Sequence, residues 1–395
     1  MGTVSGAIAR GDARALTRAL VQVDSRNPDL VAGGPGEGPA AALLADVLRA
    51  WGFRVELQDT APGRPNVLAR IGDPSGGTLM FNGHLDVVGT EGMVHPPFAA
   101  EERDGRLYGR GSADMKGGVA AMCAAAVRAF DAGLRSEILI AAVTDEEWAS
   151  LGTHALVAAG IGADAAIVTE PTRLAIMPAH RGFAWAEVTI HGRAAHGSRW
   201  DVGIDAIRHA GLLLAELDRI ETTELPRRQH PLLGRPSLHA STITGGTGNS
   251  TYPDRCVLGV ERRTIPGETG DDFVLELEGA CARVREAKPE FRADVRLSLA
   301  APPSDVQPGA PVVQMLAAAL RDASAPVRIE GMSAWTDAAI LNAAGIPAIC
   351  FGPGDIALAH AAEEWVPLEE IDIATEVLTR LALDWHRAPS ASREQ

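Results

Sequence analysis

The sequence has few of the features that would place the chain in a membrane or in an oxidising compartment. Its four cysteines, Cys123, Cys256, Cys281 and Cys350, lie far apart and form no Cys-x-x-Cys pair, which favours reduced, mostly buried thiols. No apolar run approaches the roughly 20 residues that a membrane span requires. The N-terminal segment also lacks the continuous apolar stretch of a signal peptide. We therefore expect a cytoplasmic protein that does not associate with membranes.

An excess of basic residues is also missing. The chain contains 36 Lys and Arg against 51 Asp and Glu, a formal net charge of −15. A net negative charge with no clustering of charged residues along the chain argues against nucleic acid or an anionic membrane as the main partner. At 395 residues and 46% hydrophobic content, the chain can bury a large core and is longer than one ordinary domain requires.

The order of helical and strand patterns predicts a catalytic domain interrupted by a smaller one. Before residue 181, helical segments alternate with short apolar runs such as 137–144, which predicts an α/β fold with a mostly parallel sheet and helices on both faces. From residue 183 onward, alternating two-faced strands and a helix indicate an α+β domain. The first pattern resumes after the Pro-rich stretch 302–311. We predict a catalytic domain of residues 1–181 and 300–395, and an inserted domain of residues 182–299.

Imidazole and carboxylate side chains recur at predicted strand ends and in a Gly-rich loop, where an open α/β sheet carries its ligands. His84 and Asp86 lie two residues apart, so both face the same side of an extended chain. In that geometry Asp86 can orient His84 or bind metal beside it. Asp114 lies in a Gly-rich turn before a predicted helix, and a carboxylate there is able to bridge two cations. The types of ligand suit a divalent metal.

Glu146 and Glu147 are adjacent at the end of a predicted strand and therefore point in opposing directions. One can bind metal while the other remains free for proton transfer, a division of roles that suits metal-assisted hydrolysis. Each segment alone has a simpler explanation: a structural hydrogen bond for His-x-Asp, and a solvated loop for Asp-Glu-Glu. The Gly-rich loop could also bind phosphate, but it lacks the Gly-Lys-Ser/Thr ending. In combination and in this order, the segments favour a metal-dependent hydrolase.

The chain resembles the M20 family of metallopeptidases and deacylases, which includes acetylornithine deacetylase, succinyl-diaminopimelate desuccinylase, aminoacylase and carboxypeptidase G. The matching segments occur in family order along nearly the whole chain. They are GHLDVV (83–88), GRGSADMKGG (109–118), TDEE (144–147), TEPT (169–172), HGRAAHGS (191–198) and LAHAAEEWV (358–366).

The resemblance implies a centre with two divalent metal ions. His84 and Glu170 would hold one ion, Glu147 and His360 the second, and Asp114 would bridge them. Zinc is the expected metal, with cobalt or manganese as alternatives, because sites of His and carboxylate accept all three.

The resemblance also implies roles in catalysis. Asp86 would orient His84, and Glu146 would act as general base and then as general acid. The inserted domain would be a lid that also forms a homodimer, and its His196 would reach the active site of the partner subunit.

In the same lid, Asn249 and Arg263 match positions that hold the carboxylate of the substrate. Two departures from the family pattern leave alternatives open. The segment from Asn249 to Pro253 is one residue longer than usual, and the adjacent Arg262 could take the role of Arg263.

The function predicted from these residues is hydrolysis of an amide bond, with deacylation of an N-acyl amino acid as the first hypothesis. A dipeptidase or exo-carboxypeptidase acting on short peptides at the same site is the alternative. A third hypothesis, from another class, is an inactive metal-binding regulatory protein. Its mark would be the loss of the base or of a ligand, and all of these residues are present.

Overall fold

The computed structural model of the protein describes residues 8–388. Its helices are α1 (Ala13–Val21), α2 (Gly38–Ala50), α3 (Gly117–Asp131), α4 (Leu151–Ala158), α5 (Ala206–Arg219), α6 (Gly270–Ala287), α7 (Pro311–Asp322), α8 (Ala338–Ala343) and α9 (Leu368–Asp384). Its strands are β1 (Arg54–Ala61), β2 (Arg64–Gly72), β3 (Thr78–His84), β4 (Glu101–Arg103), β5 (Arg106–Tyr108), β6 (Glu137–Val143), β7 (Ala165–Val168), β8 (Ile176–His180), β9 (Gly182–His191), β10 (Ser237–Gly245), β11 (Arg255–Thr264), β12 (Arg292–Ala301), β13 (Ser304–Asp305), β14 (Ile329–Met332), β15 (Ala348–Cys350) and β16 (Trp365–Pro367).

The largest sheet has the strand order β1-β2-β6-β3-β7-β15-β8-β13, with β14 paired to β8. Its centre, β6-β3-β7-β15, is parallel, while β1, β2 and β8 join it by antiparallel pairing. Every residue of β3 after Thr78, and every residue of β6 and β7, is buried. Continuous apolar runs such as EILIAAV are the sequence pattern of strands covered on both faces.

Two groups of helices pack against this sheet. Helix α3 contacts α1 and α9, and α9 also contacts α7, whereas α4 packs on α8. Helix α3 is alanine-rich and buried along nearly its whole length, so it approaches the sheet closely. Local signals define several helix starts: the Asp12 carboxylate accepts a hydrogen bond from the amide of Ala15, and Pro311 opens α7. The predicted mixed α/β architecture is therefore confirmed.

The chain divides into two compact units. The first comprises the chain up to Pro178, the segment Val306–Glu330 and the chain from Thr336 onward; the second comprises Ala179–Asp305 and Gly331–Trp335. The second unit contains a four-stranded antiparallel sheet of order β10-β11-β9-β12. Burial alternates along β9 and β11, as expected where one sheet face packs on a core and the other does not. That core includes apolar residues of α5 and α6.

The short segment Gly331–Trp335 belongs to the second unit because of its contacts. The amide of Arg181 donates to the carbonyl of Met332 at 3.1 Å, and the indole of Trp335 donates to the carbonyl of Pro302 at 3.0 Å. Its hydrophobic pattern did not indicate this. Within residues 8–388, no helix is both long enough and apolar enough to span a membrane.

Candidate metal centre

Three neighbouring parallel strands bring the acidic segments to one edge of the sheet. Strand β3 pairs with β6 on one side, with His84 opposite Val143, and with β7 on the other, with Asn82 opposite Val168. Glu146 and Glu147 follow the end of β6, and Glu170 follows the end of β7. Because parallel strands end at the same edge, the register itself places these three glutamates beside His84.

Asp114 lies between the two histidines of the site. Its Oδ1 atom is 3.0 Å from Nε2 of His84, and its Oδ2 atom is 3.7 Å from Nε2 of His360. The same His360 nitrogen is 2.9 Å from Oε2 of Glu147. Oε2 of Glu146 is 4.0 Å from Nε2 of His84. The structure thus brings the five predicted metal ligands and the predicted base to one site.

The carboxylates of this site are crowded and shielded from water. Burial, reinforced by neighbouring negative charge, raises the pKa of Glu146 and of Glu170 well above the usual range. Burial also raises the pKa of Asp86 to about 7. For His84, burial lowers the pKa, but the hydrogen bond and charge of Asp114 outweigh it and the pKa is raised. Clusters of strongly shifted pKa values are typical of functional sites.

The residues fit divalent cations. Two groups of three residues, His84 with Asp114 and Glu147 and His84 with Glu146 and Glu170, have ligand atoms within 4.8 Å of one another. Oε1 of Glu147 is buried without a hydrogen-bond partner, although a buried carboxylate oxygen normally has one. Imidazole and carboxylate are ligands of zinc and related metals, and a cation would supply the missing positive charge.

A buried polar network holds the turn that carries Glu146 and Glu147. The Asp86 carboxylate accepts hydrogen bonds from the amides of both glutamates, each at 3.2 Å. The side-chain Nδ2 of Asn27 donates to the carboxylates of both Asp86 and Asp145, at 2.9 Å in each case. The backbone of the turn is therefore tied to the strand that ends at His84.

Asp86 contacts His84 mainly through its backbone. Nδ1 of His84 is 2.9 Å from the carbonyl oxygen of Asp86 and 3.6 Å from the Asp86 carboxylate. An Nδ1–H donor to that carbonyl leaves Nε2 free to face Asp114. The carboxylate of Asp86 serves the Glu146–Glu147 turn instead, a role that the two-residue spacing did not predict.

The remaining predicted residues lie in the second unit. His196 is exposed, and its Nδ1 accepts a hydrogen bond from the amide of Ser198 at 3.2 Å. Asn249 lies in an exposed turn. The Arg263 side chain is 38% exposed and pairs with Glu261. Arg262, which the sequence left as the alternative to Arg263, is 2% exposed and is held by two partly buried acidic residues, Glu268 at 2.6 Å and Glu276 at 3.4 Å.

Several residues of the site escaped prediction from sequence. Asn27, Glu37 and Arg64 support the Glu146–Glu147 turn from loops and a strand far away in the chain, and no local motif marks them. Glu364 and Arg110 do fall within segments that resemble the M20 family, but their part in the site is visible only from their contacts.

Comparison with known proteins agrees with this geometry. The model of Peptidase family M20/M25/M40 matches residues 80–384. An acetylornithine deacetylase of Myxococcus xanthus is 33% identical over 342 residues, covering 84% of this chain and 88% of the relative. An N-formyl-4-amino-5-aminomethyl-2-methylpyrimidine deformylase of Bacillus subtilis (strain 168) is 29% identical over 374 residues, covering 87% of this chain and 88% of the relative.

Solved structures share the fold at lower identity. Aminopeptidase PepT from Bacillus cereus ATCC 10987 aligns with a TM-score of 0.79 at 21% identity, covering 96% of this chain and 99% of that one. The YXEP protein of Bacillus subtilis, a dinuclear metal-binding peptidase from the M20 family, aligns with a TM-score of 0.72 at 16% identity, covering 95% and 98%.

The chain belongs to Peptidase family M20/M25/M40. The predictions of an M20 resemblance, of a mixed α/β fold and of a metal-dependent amide hydrolase are confirmed. The clustered His and carboxylate ligands, together with the family, support a centre for two divalent metal ions.

Proposed function

We propose that the protein is a two-metal deacylase that releases a free amino acid and a carboxylate from an N-acyl amino acid. The observation that carries the proposal is the convergence of His84, Asp114, Glu147 and His360 on one site with Glu146 beside them. The similarity to an acetylornithine deacetylase and to a deformylase, both named for removing an acyl group from nitrogen, supports this substrate class.

The proposed ligands are His84 and Glu170 for one ion, Glu147 and His360 for the other, and Asp114 for both. Zinc is the proposed metal because the set combines imidazole with carboxylate and contains no sulfur ligand. When bound, two such cations polarise an amide carbonyl and make water more acidic.

Glu146 is the proposed proton carrier. It takes the proton of the attacking water and delivers it to the leaving nitrogen, which becomes the free amine. Burial raises the pKa of Glu146, which suits a carboxylate that takes up a proton and then gives it back. The hydrogen bond from its backbone amide to Asp86 holds the backbone from which the side chain extends.

The second unit is proposed to supply groups that bind the substrate. Because Nδ1 of His196 accepts from the amide of Ser198, the neutral ring carries its proton on Nε2, which suits it to donate to an oxyanion. We propose that this donor comes from the partner subunit of a homodimer. Arg263 is the proposed carboxylate-binding residue with Asn249, since its side chain is 38% exposed, whereas Arg262 is buried and held by two acidic residues.

A substrate panel tests the proposal. The protein, purified and loaded separately with zinc, cobalt or manganese, is assayed for amine release from N-acetyl, N-formyl and N-succinyl amino acids, with dipeptides in parallel. Turnover of the acyl substrates is expected. Turnover of dipeptides alone would support the peptidase alternative, and no turnover of either class in the metal-loaded protein would support an inactive metal-binding protein.

Substitution of Glu146 tests the mechanism. Glu146→Gln keeps the size of the side chain but cannot take up a proton, so kcat is expected to fall by about 10²–10⁴-fold. Metal content, measured on the same samples, is expected to remain at the wild-type level. Turnover that survives at unchanged metal content would show that Glu146 is not the base.

Subunit complementation tests the homodimer. Glu146→Gln and His196→Ala variants, each inactive alone, are mixed under conditions that exchange subunits. Each mixed dimer would contain one site with both an intact Glu146 and an intact His196, so activity is expected to return. Absence of recovery in a mixture of differently tagged variants, from which sequential capture on the two tags recovers mixed dimers, would contradict the role of His196.

A further inference from the structure

A buried ion pair joins the loop that carries Asp114 to the loop that carries His360. Nη1 of Arg110 lies 2.7 Å from Oε2 of Glu364, and the two side chains are 3% and 1% exposed. Arg110 precedes Asp114 by four residues, and Glu364 follows His360 by four residues. The pair thus connects segments that are 254 residues apart in sequence.

The Glu364 carboxylate accepts four hydrogen bonds. Oε2 accepts from Arg110 and from the amide of Gly111 at 3.0 Å. Oε1 accepts from the amides of Ala113 at 3.0 Å and Asp114 at 3.1 Å. The backbone of the predicted bridging ligand is therefore bonded directly to Glu364, and the turn before α3 wraps around this carboxylate.

The Arg110 guanidinium completes the connection from the other side. Its Nε donates to the carbonyl of Gly89 at 2.9 Å, and its Nη2 donates to the carbonyl of Ala361, the residue after His360, at 3.3 Å. His360 itself lies outside any helix or strand and has a positive φ of 60°. Its side chain is 55% exposed, so packing does little to hold it.

We propose that Arg110 and Glu364 are positioning residues that set the separation of Asp114 and His360, and thereby the affinity of the metal ion that these two ligands share with Glu147. The inference rests on the proposed function in that a metal must bind at this place. The distances that the pair would control are 3.7 Å from His360 to Asp114 and 2.9 Å from His360 to Glu147.

The chemistry of the contacts explains why a carboxylate is needed at position 364. Four N–H donors converge on its two oxygens, whereas a glutamine offers a single oxygen and an NH₂ group that donates. In either orientation of the Glu364→Gln side chain, its NH₂ group would face two N–H donors. Two of the four hydrogen bonds would therefore be replaced by repulsion between donors. The adjacent Glu363 is exposed, so Glu363→Gln is a matched control with the same change of charge.

Metal titration of the apo-proteins tests the inference. Wild type, Glu364→Gln, Arg110→Lys and Glu363→Gln are titrated with Zn²⁺ and Co²⁺ against a chromophoric chelator, and Co²⁺ absorption reports the coordination of each ion. We expect Glu364→Gln and Arg110→Lys to weaken one binding step by about 10- to 100-fold, the usual effect of losing a partner behind a ligand. Glu363→Gln should match wild type. Excess metal should restore kcat, and KM should change little.

A double-mutant cycle with His360→Ala separates positioning from a general loss of structure. If Glu364 acts through the shared ion, Glu364→Gln should weaken binding little further once His360 is absent. Wild-type affinities for both ions in Glu364→Gln, or fully additive losses in the double variant, would overturn the inference while leaving the proposed function intact. If wild type binds no divalent ion, the proposed function fails and the inference fails with it. Arg110→Lys keeps the buried charge pair, so it provides the test if Glu364→Gln does not fold.

Discussion

Arg64 is the cation of the buried network behind the Glu146–Glu147 turn, and its removal makes a quantitative prediction. Its guanidinium donates to Glu37 at 2.7 and 2.8 Å and to Asp145 at 2.7 Å. Arg64 is 7% exposed, and both acidic residues are fully buried. The change proposed is Arg64→Met, which keeps much of the apolar stem and removes the charge.

The expected loss of stability follows from the burial of the partners. Arg64→Met would leave Glu37 and Asp145 buried side by side without a counter-charge, a situation that costs about 3–5 kcal/mol in the free energy of unfolding. The control is Arg49→Met. Arg49 pairs with Asp46 on a helix surface where the two side chains are 50% and 60% exposed, so its loss should cost no more than about 0.5 kcal/mol.

Urea unfolding of the metal-free proteins at pH 7 measures both values. Because the amide of Asp145 donates to Glu37 at 3.0 Å, displacement of this network should also disturb the adjacent Glu146 and lower kcat at saturating metal. If Arg64→Met loses no more stability than Arg49→Met, the network does not support the turn and the reasoning is refuted.

Three further perturbations give separate outcomes. A Cβ added at Gly118 would lie 2.0 Å from the carbonyl oxygen of Thr169, so Gly118→Ala should displace the segment before Glu170. The free energy of unfolding should fall by about 1–3 kcal/mol. A value equal to that of wild type would contradict the close approach. Burial lowers the pKa of His180 from 6.5 to about 4, and because the unfolded chain takes up the proton first, stability should fall by about 3 kcal/mol as the pH drops through that window. His180→Phe should lack this component when the two pH profiles of unfolding are compared, and identical profiles would contradict it. Removal of metal with a chelator should abolish hydrolysis. Adding the metal back at about 100 times its Kd should raise the free energy of unfolding by about 2.7 kcal/mol. A melting temperature that does not change on addition of metal would argue against binding to the folded state.

Features encoded locally were predictable from the sequence. The apolar run 137–144 and the alternating strand at 183–191 both indicate the correct type of element, because burial on one or both faces has a periodicity that short segments display. The same holds for His84, Asp114 and Glu170 as candidate site residues, since imidazole and carboxylate side chains at strand ends and in Gly-rich turns occur in short segments of recognisable composition.

The tertiary structure alone decided which polar side chains support these candidate site residues. Arg64 meets Asp145 across 81 residues and Arg110 meets Glu364 across 254, and no periodicity relates positions so distant in the chain. It also separated Arg262 from Arg263, which are neighbours in sequence but face opposite sides of β11, so that one is buried in ion pairs and the other is partly exposed. Such choices depend on what lies on the far side of each strand and loop, and that environment exists only once the chain has folded.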